Sequence, residues 1–199
     1  YPHEAPLLHS LPKDVIRQIL DACRNLSAGV PVLCGFHHIY YPENDNAAMQ
    51  HEIQRYYRDP QVVPYDDLYA IDEPILKVAL CDTNGPAKEA YPVMHEALGD
   101  AYELLISGDC WMDIMCKGVT KGAALQGLQE RMGITPAETM AFGDYDNDIS
   151  MLQHAEFSYA MENASERVRQ QAKHIAPANT KNGVVRVLCE TLGIHMESL

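Results

Sequence analysis

Apolar residues recur along this chain at two different spacings, and the spacings predict alternating helices and strands. Ser10 and Pro12 predict a helix start, because a serine side chain can cap free backbone N–H groups and proline tolerates the first helical turn. Behind them, five apolar residues recur at helical spacing: Val15, Ile16, Ile19, Leu20 and Cys23. The chain therefore opens with a predicted amphipathic helix.

Continuous apolar runs in the first half of the chain predict strands. The predicted strands are 30–34, 75–80, 102–106 and 111–116, and further helices are predicted through Met49, Ile53 and Tyr56 and over 86–98. The turn signal Asp82-Thr83-Asn84-Gly85 ends the second of these strands. Residues 1–115 thus form one predicted α/β unit.

From residue 117 onward the alternation is more regular. A helix is predicted over 121–132, with Gly133 as the left-handed residue that ends it. Its apolar face is predicted to consist of Ala124, Leu125, Leu128 and Met132.

Three short apolar segments follow this helix, at 139–142, 157–161 and 174–176. A capping box with proline at the first helical position, 135–138, precedes them and predicts a helix start. The pattern is typical of a parallel sheet with crossover helices, which binds ligands at the carboxyl ends of its strands. Residues 116–199 therefore form a second predicted part of an α/β protein.

Composition and charge narrow the function classes. The 199 residues carry 15 basic and 28 acidic side chains, a formal charge of −13, and no basic run, which argues against a nucleic-acid partner. Apolar runs are far shorter than the roughly 20 residues that span a bilayer, which argues against a membrane protein. Six cysteines without a C-x-x-C pair favour reduced thiols and a cytoplasmic location. Nothing in the sequence indicates an oligomeric state.

Three carboxylates stand directly after a predicted strand, in AFGDYDNDISML: Asp144, Asp146 and Asp148. Such a cluster is tolerable when a cation neutralises it, and oxygen ligands favour a hard ion, Mg²⁺ more than Ca²⁺. An EF-hand loop is excluded, because Ile149 stands where glycine is needed and Ala155 where the bidentate glutamate is needed. The alternative is that Asn147 and Asp148 only cap the next helix.

Lys121 stands in the first turn of its predicted helix, where a second positive charge is unfavourable unless an anion is held there. A phosphate could accept hydrogen bonds from the helix N–H groups and the ammonium together. An ordinary surface lysine is the alternative. A metal and an ammonium on either side of one phosphoryl group are what phosphoryl transfer requires.

Four segments together resemble the C-terminal region of Cof-type haloacid dehalogenase (HAD) phosphatases: KGVTKGAALQGLQERMGI, GDYDNDISML, AMENASERVRQQA and NTKNGVVRVL. Their order and spacing over about 80 residues carry the resemblance, which a lone GDxxND would not. The resemblance implies an HAD-like Rossmannoid core, of which 116–199 is the C-terminal part. It identifies 1–115 as the inserted α/β cap domain that would close over the site and select the substrate.

By this resemblance, Lys121 is the lysine that balances charge on the aspartyl nucleophile and the phosphoryl group. Asp144 matches the acidic residue that ligates Mg²⁺ directly. Asp148 matches the second acidic residue of the motif, which supports the metal through water or hydrogen bonds. Asn147 and Asn179 are the candidates to contact the substrate phosphate.

The resemblance also concerns other positions. Asn163 falls where a residue usually lies near the site, while Tyr145 replaces a common glycine and Asn182 a common aspartate. In the cap, four residues are candidates to face the site, with an ordinary core or surface role as the alternative: His37, His38, Asp109 and Trp111.

The family's reaction also needs an aspartate nucleophile in a D-x-D turn, and these 199 residues contain no such turn before Lys121. The Ser/Thr-bearing motif that follows it is absent as well. We therefore expect that the chain lacks the N-terminal core segment, is inactive alone, and exposes an apolar sheet edge.

The resemblance implies a hydrolase: a Mg²⁺-dependent phosphatase that acts on small phosphorylated metabolites such as sugar phosphates through an aspartyl-phosphate intermediate. A mutase of the same superfamily is not distinguished from it. The competing interpretation is a non-catalytic HAD-like module that binds a phosphorylated ligand or a protein. A plain α/β domain with a solvated acidic loop is the third.

Overall fold

The computed structural model describes residues 9–86 and 88–194. The chain divides into two compact units, Tyr1–Val119 and Thr120–Leu199. Both combine helices with strands, so the predicted α/β class is confirmed. No helix in the described ranges is long and apolar enough to cross a membrane.

Unit 1 is built on one mixed six-stranded sheet with the order β3-β2-β1-β4-β6-β5. Neighbouring strands are antiparallel except β2 and β3, which are parallel. The strands are β1 (Val30–Gly35), β2 (Ile39–Pro42), β3 (Gln61–Val63), β4 (Ile75–Cys81), β5 (Tyr102–Ile106) and β6 (Trp111–Cys116). The helices are α1 (Lys13–Cys23), α2 (Ala47–Tyr56) and α3 (Ala90–Leu98), and 3-10 turns span Tyr65–Ala70 and Gly99–Ala101.

Helices cover both faces of this sheet, because alternate strand residues point to opposite faces. Leu33 and Leu80 belong to the apolar cluster that contains α1 and α3. Their neighbours Val32 and Ala79 belong to a second cluster, which contains Ile53 of α2. Unit 1 is therefore a three-layer α/β/α arrangement.

Unit 2 is built on a parallel three-stranded sheet with the order β7-β8-β9. The strands are β7 (Met140–Gly143), β8 (Phe157–Met161) and β9 (His174–Ala176). The helices are α4 (Lys121–Met132), α5 (Ile149–Gln153), α6 (Glu166–Arg169) and α7 (Gly183–Leu192), and 3-10 turns span Pro136–Glu138, Asp146–Asp148 and Asn179–Lys181. The predicted parallel sheet with crossover helices is confirmed.

An apolar edge was expected in this sheet. β7 lies at the end of the strand order, and in the described part of the chain it pairs with β8 alone. Unit 2 also exposes several large apolar side chains, among them Leu128, Met132, Val184, Leu188 and Leu192.

The predicted strands agree with the structure within one or two residues, but three helix details were wrong. Pro12, not Ser10, occupies the N-cap position of α1, and no side chain caps that helix. The helix predicted over 86–98 begins only at Ala90. The capping box at Thr135 is present but starts a three-residue 3-10 turn rather than a helix.

The predicted apolar face of α4 was also wrong. Leu128 and Met132 are 46% and 50% exposed, whereas Gly122 and Gln129 are buried. The buried stripe has helical spacing, but a glycine and a glutamine occupy it, so hydrophobicity does not reveal it.

Candidate functional site

Three loops meet at one edge of the unit 2 sheet. Asp144 directly follows β7, Asn163 lies two residues after β8, and Asn179 lies three residues after β9. Because the carboxyl ends of parallel strands share an edge, these polar residues lie near one another, as hydrogen bonds between them show.

Lys121 and Asp148 form an ion pair at this edge. Lys121 is the first residue of α4, whose N-terminus is capped by the Thr120 hydroxyl accepting from the Ala123 N–H at 3.1 Å. Its Nζ donates to Asp148 Oδ1 at 2.5 Å. The Asp148 side chain is only 6% exposed and that of Lys121 is 51% exposed. The pair thus presents a fixed, half-exposed ammonium over a buried carboxylate.

The second oxygen of Asp148 holds the loop after β7. Asp148 Oδ2 accepts hydrogen bonds from the backbone N–H groups of Asp144 at 3.0 Å and Tyr145 at 3.2 Å. A Cβ on Gly143 would lie 2.4 Å from Asp148 Cβ, so glycine is needed for this close approach. Both Asp148 oxygens are therefore engaged, one by the lysine and one by the backbone.

A second contact joins the helices that carry these residues. Ser150 Oγ, in the first turn of α5, accepts from the Gly122 N–H at 3.1 Å. A Cβ on Gly122 would lie 2.6 Å from the Ser150 carbonyl oxygen. The first turn of α4 is thus packed directly on α5, which fixes Lys121 beside Asp148.

The Asp144 carboxylate is held differently. Asn163 Nδ2 donates to Asp144 Oδ2 at 3.4 Å, and Asn163 Oδ1 accepts from the Asn179 N–H at 3.2 Å. Asn179 Oδ1 in turn accepts from the Thr180 N–H at 2.8 Å. The Asn179 side chain therefore retains its amide N–H groups as donors.

Glu162 ties the loops after β8 and β9 together. Its Oε2 accepts from Lys181 Nζ at 2.8 Å and from the Ala178 N–H at 3.3 Å. The Lys181 ammonium and this backbone N–H hold the pKa of the Glu162 carboxyl below its usual value. The carboxylate form of Glu162 thus stabilises the loop that carries Asn179.

Asp146, the third carboxylate of the motif, is turned to a different partner. Arg167 Nη1 donates to Asp146 Oδ2 at 2.8 Å. With Lys121 beside Asp148, two of the three clustered carboxylates are neutralised by side chains of the same unit. The need for a cation that the sequence suggested therefore applies to Asp144 and not to all three.

Four of the five predicted site residues line one open pocket of about 440 Å³: Lys121, Asp144, Asp148 and Asn179. Phe142, Met151, Met161 and Val184 supply apolar walls. Asn147 is not among the lining residues, and its Oδ1 is a buried acceptor without a hydrogen-bond partner. The pocket therefore combines one cation, carboxylates and amide donors.

The carboxylate oxygens of this pocket suit a hard divalent cation that takes few of its ligands from the protein. Among residues 9–86 and 88–194, no three His, Cys, Asp or Glu side chains converge as a metal cluster. Mg²⁺ is commonly held by one or two carboxylates, with waters and a substrate phosphate completing its octahedron. Asp144, whose carboxylate accepts a hydrogen bond from the neutral amide of Asn163, fits that donor chemistry.

The four candidates in unit 1 have varied surroundings. Trp111 is buried, and its Nε1 donates to Glu52 Oε1 at 3.2 Å, so it has a core role. His37 and His38 are exposed on the turn between β1 and β2, where Glu73 accepts from the His37 N–H at 2.6 Å. Asp109 is exposed on the turn between β5 and β6.

The sequence did not identify Ser150 and Arg167 as parts of the site. Each acts on a neighbouring motif residue, Ser150 through Gly122 and Arg167 through Asp146. A serine after Ile149 and an arginine on a short helix carry no pattern of their own. Their roles appear only when the two loops are brought together.

Several known proteins resemble this chain in sequence. A family model described as haloacid dehalogenase-like hydrolase matches residues 3–188. The 5-amino-6-(5-phospho-D-ribitylamino)uracil phosphatase YbjI of Escherichia coli is 30% identical over 182 residues, which cover 92% of this chain and 66% of that protein. YitU of Bacillus subtilis, which bears the same activity name, is 27% identical over 188 residues, which cover 91% of this chain and 67% of that protein. The chain thus spans about two thirds of the length of these relatives.

Solved structures share the fold. SMU.1108c from Streptococcus mutans superposes with a TM-score of 0.83 at 26% identity, over 94% of this chain and 70% of that chain. TM0651 from Thermotoga maritima superposes with a TM-score of 0.70 at 28% identity, over 94% of this chain and 70% of that chain. Both likenesses extend through unit 1 and unit 2.

Proposed function

The chain belongs to the haloacid dehalogenase-like hydrolase family, and on that premise we propose that it contributes to a Mg²⁺-dependent phosphatase of small phosphorylated metabolites. The observation that carries the proposal is the Lys121–Asp148 ion pair in the same pocket as Asp144. An ammonium and a metal-binding carboxylate on one pocket suit the charge that develops on a transferring phosphoryl group.

Lys121 binds the phosphoryl group in this proposal. Its Nζ is held at 2.5 Å from Asp148, so the ammonium needs little reorganisation when the anion arrives. The N-terminus of α4 adds partial positive charge in the same direction. The amide N–H groups of Asn179, and Asn147 at the adjoining turn, are the further candidates to contact the phosphate.

Asp144 is the direct ligand of Mg²⁺ in this proposal, and Asp148 supports the metal indirectly. Both Asp148 oxygens already accept hydrogen bonds, from Lys121 and from the Asp144 and Tyr145 N–H groups. Mg²⁺ bound at Asp144 would act as a Lewis acid that polarises the phosphoryl oxygens. Asp148 holds the Asp144 backbone and the Lys121 ammonium in place beside the proposed metal position.

The aspartyl-phosphate mechanism needs an aspartate nucleophile in a D-x-D turn. Apart from the Asp144–Asp148 motif itself, the 199 residues contain no D-x-D turn, and they span 66% of YbjI. We therefore attribute the activity to a protein that contains a nucleophile segment in addition to these residues, and we expect the 199 residues alone to be inactive.

Residues 1–115 are proposed to be the cap that selects the substrate. YbjI and YitU are named as phosphatases of a phosphorylated ribitylamino compound, and an HMP-PP phosphatase of Escherichia coli is 31% identical over 101 residues. Small phosphate monoesters, such as sugar phosphates, are therefore the proposed substrate class. The six thiols are all unpaired, which supports a cytoplasmic location.

The test compares two proteins: the 199-residue chain, and a longer protein that contains the nucleophile segment in addition to these residues. Hydrolysis of p-nitrophenyl phosphate is measured for each, with Mg²⁺ and with EDTA. We expect turnover only by the longer protein with Mg²⁺, and its loss in the K121M and D144N variants. Gln171→Glu is the matched control, because Gln171 is exposed in the same unit and its Oε1 accepts from Gln153.

If the longer protein binds phosphate but neither form hydrolyses the ester, the chain belongs to a phospho-ligand-binding module instead. Activity that is unchanged by EDTA would contradict the metal requirement. Activity that survives K121M would contradict the role of the pocket.

A further inference from the structure

Asn163 donates a hydrogen bond from its side-chain amide to the Asp144 carboxylate. It lies on the loop after β8, whereas Asp144 follows β7 and Asn179 follows β9. Its two polar atoms reach the two flanking loops, Nδ2 to Asp144 Oδ2 at 3.4 Å and Oδ1 to the Asn179 N–H at 3.2 Å. One amide thus links all three strand ends of unit 2.

The two partners fix which way round this amide lies. A flipped amide would place Oδ1 against the Asp144 carboxylate and the NH₂ group against the Asn179 N–H, and both contacts would be repulsive. The Asn179 N–H therefore keeps the Nδ2 donors of Asn163 directed at Asp144. An asparagine between a donor and a carboxylate has this property, while an aspartate or a leucine at the same position does not.

The hydrogen bond also distinguishes the two oxygens of Asp144. Oδ2 accepts from Asn163, so Oδ1 is the oxygen left to bind a cation in the pocket. Groups that hydrogen-bond a metal-ligating carboxylate orient it and raise metal affinity. From this geometry we propose that Asn163 is a positioning residue, which orients Asp144 for one-oxygen binding of the divalent cation; the inference rests on the proposed metal site.

A purely structural role for Asn163 makes a different prediction. If the residue only joined the loops, its removal would lower stability and leave cation affinity unchanged. The tests therefore need a readout of the cation itself, in addition to activity. Mn²⁺, which is paramagnetic and has the same ligand preference, serves as the probe of the 199-residue chain by EPR titration.

Two variants separate the contacts. Asn163→Leu, of similar size, removes both hydrogen bonds, and we expect Mn²⁺ affinity to fall about tenfold, the lower end of the range for such supporting groups. Asn163→Asp keeps an acceptor for Asn179 but places a second carboxylate beside Asp144. Because a cation relieves that repulsion, we expect Mg²⁺ to raise the Tm of N163D more than it raises the Tm of the control Q171E.

In the longer protein, Asn163 should affect the dependence of activity on Mg²⁺ rather than the binding of the ester. N163L is expected to raise the Mg²⁺ concentration for half-maximal activity about tenfold while the KM for p-nitrophenyl phosphate stays within about twofold of the wild type. If N163L misfolds, the Tm comparison between N163D and Q171E decides alone.

The inference is overturned if folded N163L binds Mn²⁺ as tightly as the wild type, if Mg²⁺ stabilises N163D no more than Q171E, or if the wild-type chain binds no Mn²⁺. Failure of the proposed function is a separate result: the longer protein would then show no Mg²⁺-dependent hydrolysis, whereas Mn²⁺ binding and its dependence on Asn163 would persist.

Discussion

Lys121 Nζ donates to Asp148 Oδ1 across 27 residues of sequence, and the two side chains differ sharply in burial. The carboxylate is enclosed and makes three hydrogen bonds, whereas half of the lysine side chain faces solvent. The buried partner therefore defines the geometry, and the exposed partner delivers the charge to the pocket.

Asp148→Asn tests this division of roles. The amide retains the shape but turns one oxygen into a donor, so it cannot both pair with Lys121 and accept from the two backbone N–H groups. We expect the free energy of unfolding to fall by about 1–3 kcal/mol, since buried donors lose their acceptor. Urea denaturation of the 199-residue chain measures it.

Asp146→Asn is the matched control for that experiment, two residues away in the same motif. Its ion pair with Arg167 is partly exposed, with Arg167 at 74% and Asp146 at 33%, and exposed pairs contribute about 0–1 kcal/mol. If D146N and D148N lower the free energy of unfolding equally, the burial of Asp148 does not add to the stability that its hydrogen bonds provide.

Two glycines of α4 give the next prediction. Gly122→Ala places a Cβ 2.6 Å from a carbonyl oxygen of Ser150, so we expect a loss of about 1–3 kcal/mol and displacement of Lys121. Gly127 lies in the same helix, and a Cβ there would meet no atom within 4 Å. We therefore expect Gly127→Ala to raise the free energy of unfolding by about 0.5–1 kcal/mol. Thermal unfolding of both variants checks the signs, and a stabilised G122A would refute the close packing.

The strands and the strand-end positions of the site were predictable because their signals are local. β7, β8 and β9 are short apolar segments with turn residues between them, and parallel pairing brings the loops after these strands to one edge of the sheet. This pairing places Asp144 and Asn179 at the same edge, but Asp144 was proposed as a site residue from the carboxylate cluster and Asn179 from the family resemblance. The ion pair between Lys121 and Asp148 was not predicted, because the two residues are 27 positions apart and the packing of α4 on α5 brings them together.

The buried face of α4 was not predictable, for a physical reason. Gly122 is buried because backbone packs against it, and Gln129 because its amide has two internal partners. Both facts depend on other elements, Ser150 of α5 and Thr139 before β7. A pattern of apolar residues reports burial only when apolar contacts cause it.

Gln129→Leu tests that explanation. Gln129 Nε2 donates to Thr139 Oγ1 and to the His154 carbonyl oxygen, both at 2.9 Å. Leucine adds apolar area but leaves the carbonyl without this donor, so we expect a net loss of about 1–3 kcal/mol in urea denaturation. Gln126→Leu on the exposed side of α4 should stay within about 0.5 kcal/mol, and a Q129L as stable as the wild type would contradict the role of these bonds.

Glu73 in unit 1 predicts a pH dependence of stability. Burial acts to raise the pKa of this carboxyl, but hydrogen bonds from the Tyr40 hydroxyl, the His37 N–H and the His38 ring outweigh it and leave the pKa below its usual value of 4.5. A carboxyl with a lowered folded-state pKa stabilises the protein above its unfolded-state pKa. That contribution is lost as the pH falls from about 4.5 through the lowered value.

Glu73→Gln should therefore lower the free energy of unfolding by about 1–2 kcal/mol at pH 7. In the wild type, one carboxylate oxygen accepts from Tyr40 and the other from His37, whereas glutamine has a single acceptor oxygen, so one of these donors loses its partner. The difference from the wild type should shrink as the pH is lowered below 4.5. Glu96→Gln, at an exposed position of α3, is the control and should change little at either pH. A deficit of E73Q that stays constant down to the acid transition would mean that packing, and not the charge of Glu73, holds the turn between β1 and β2.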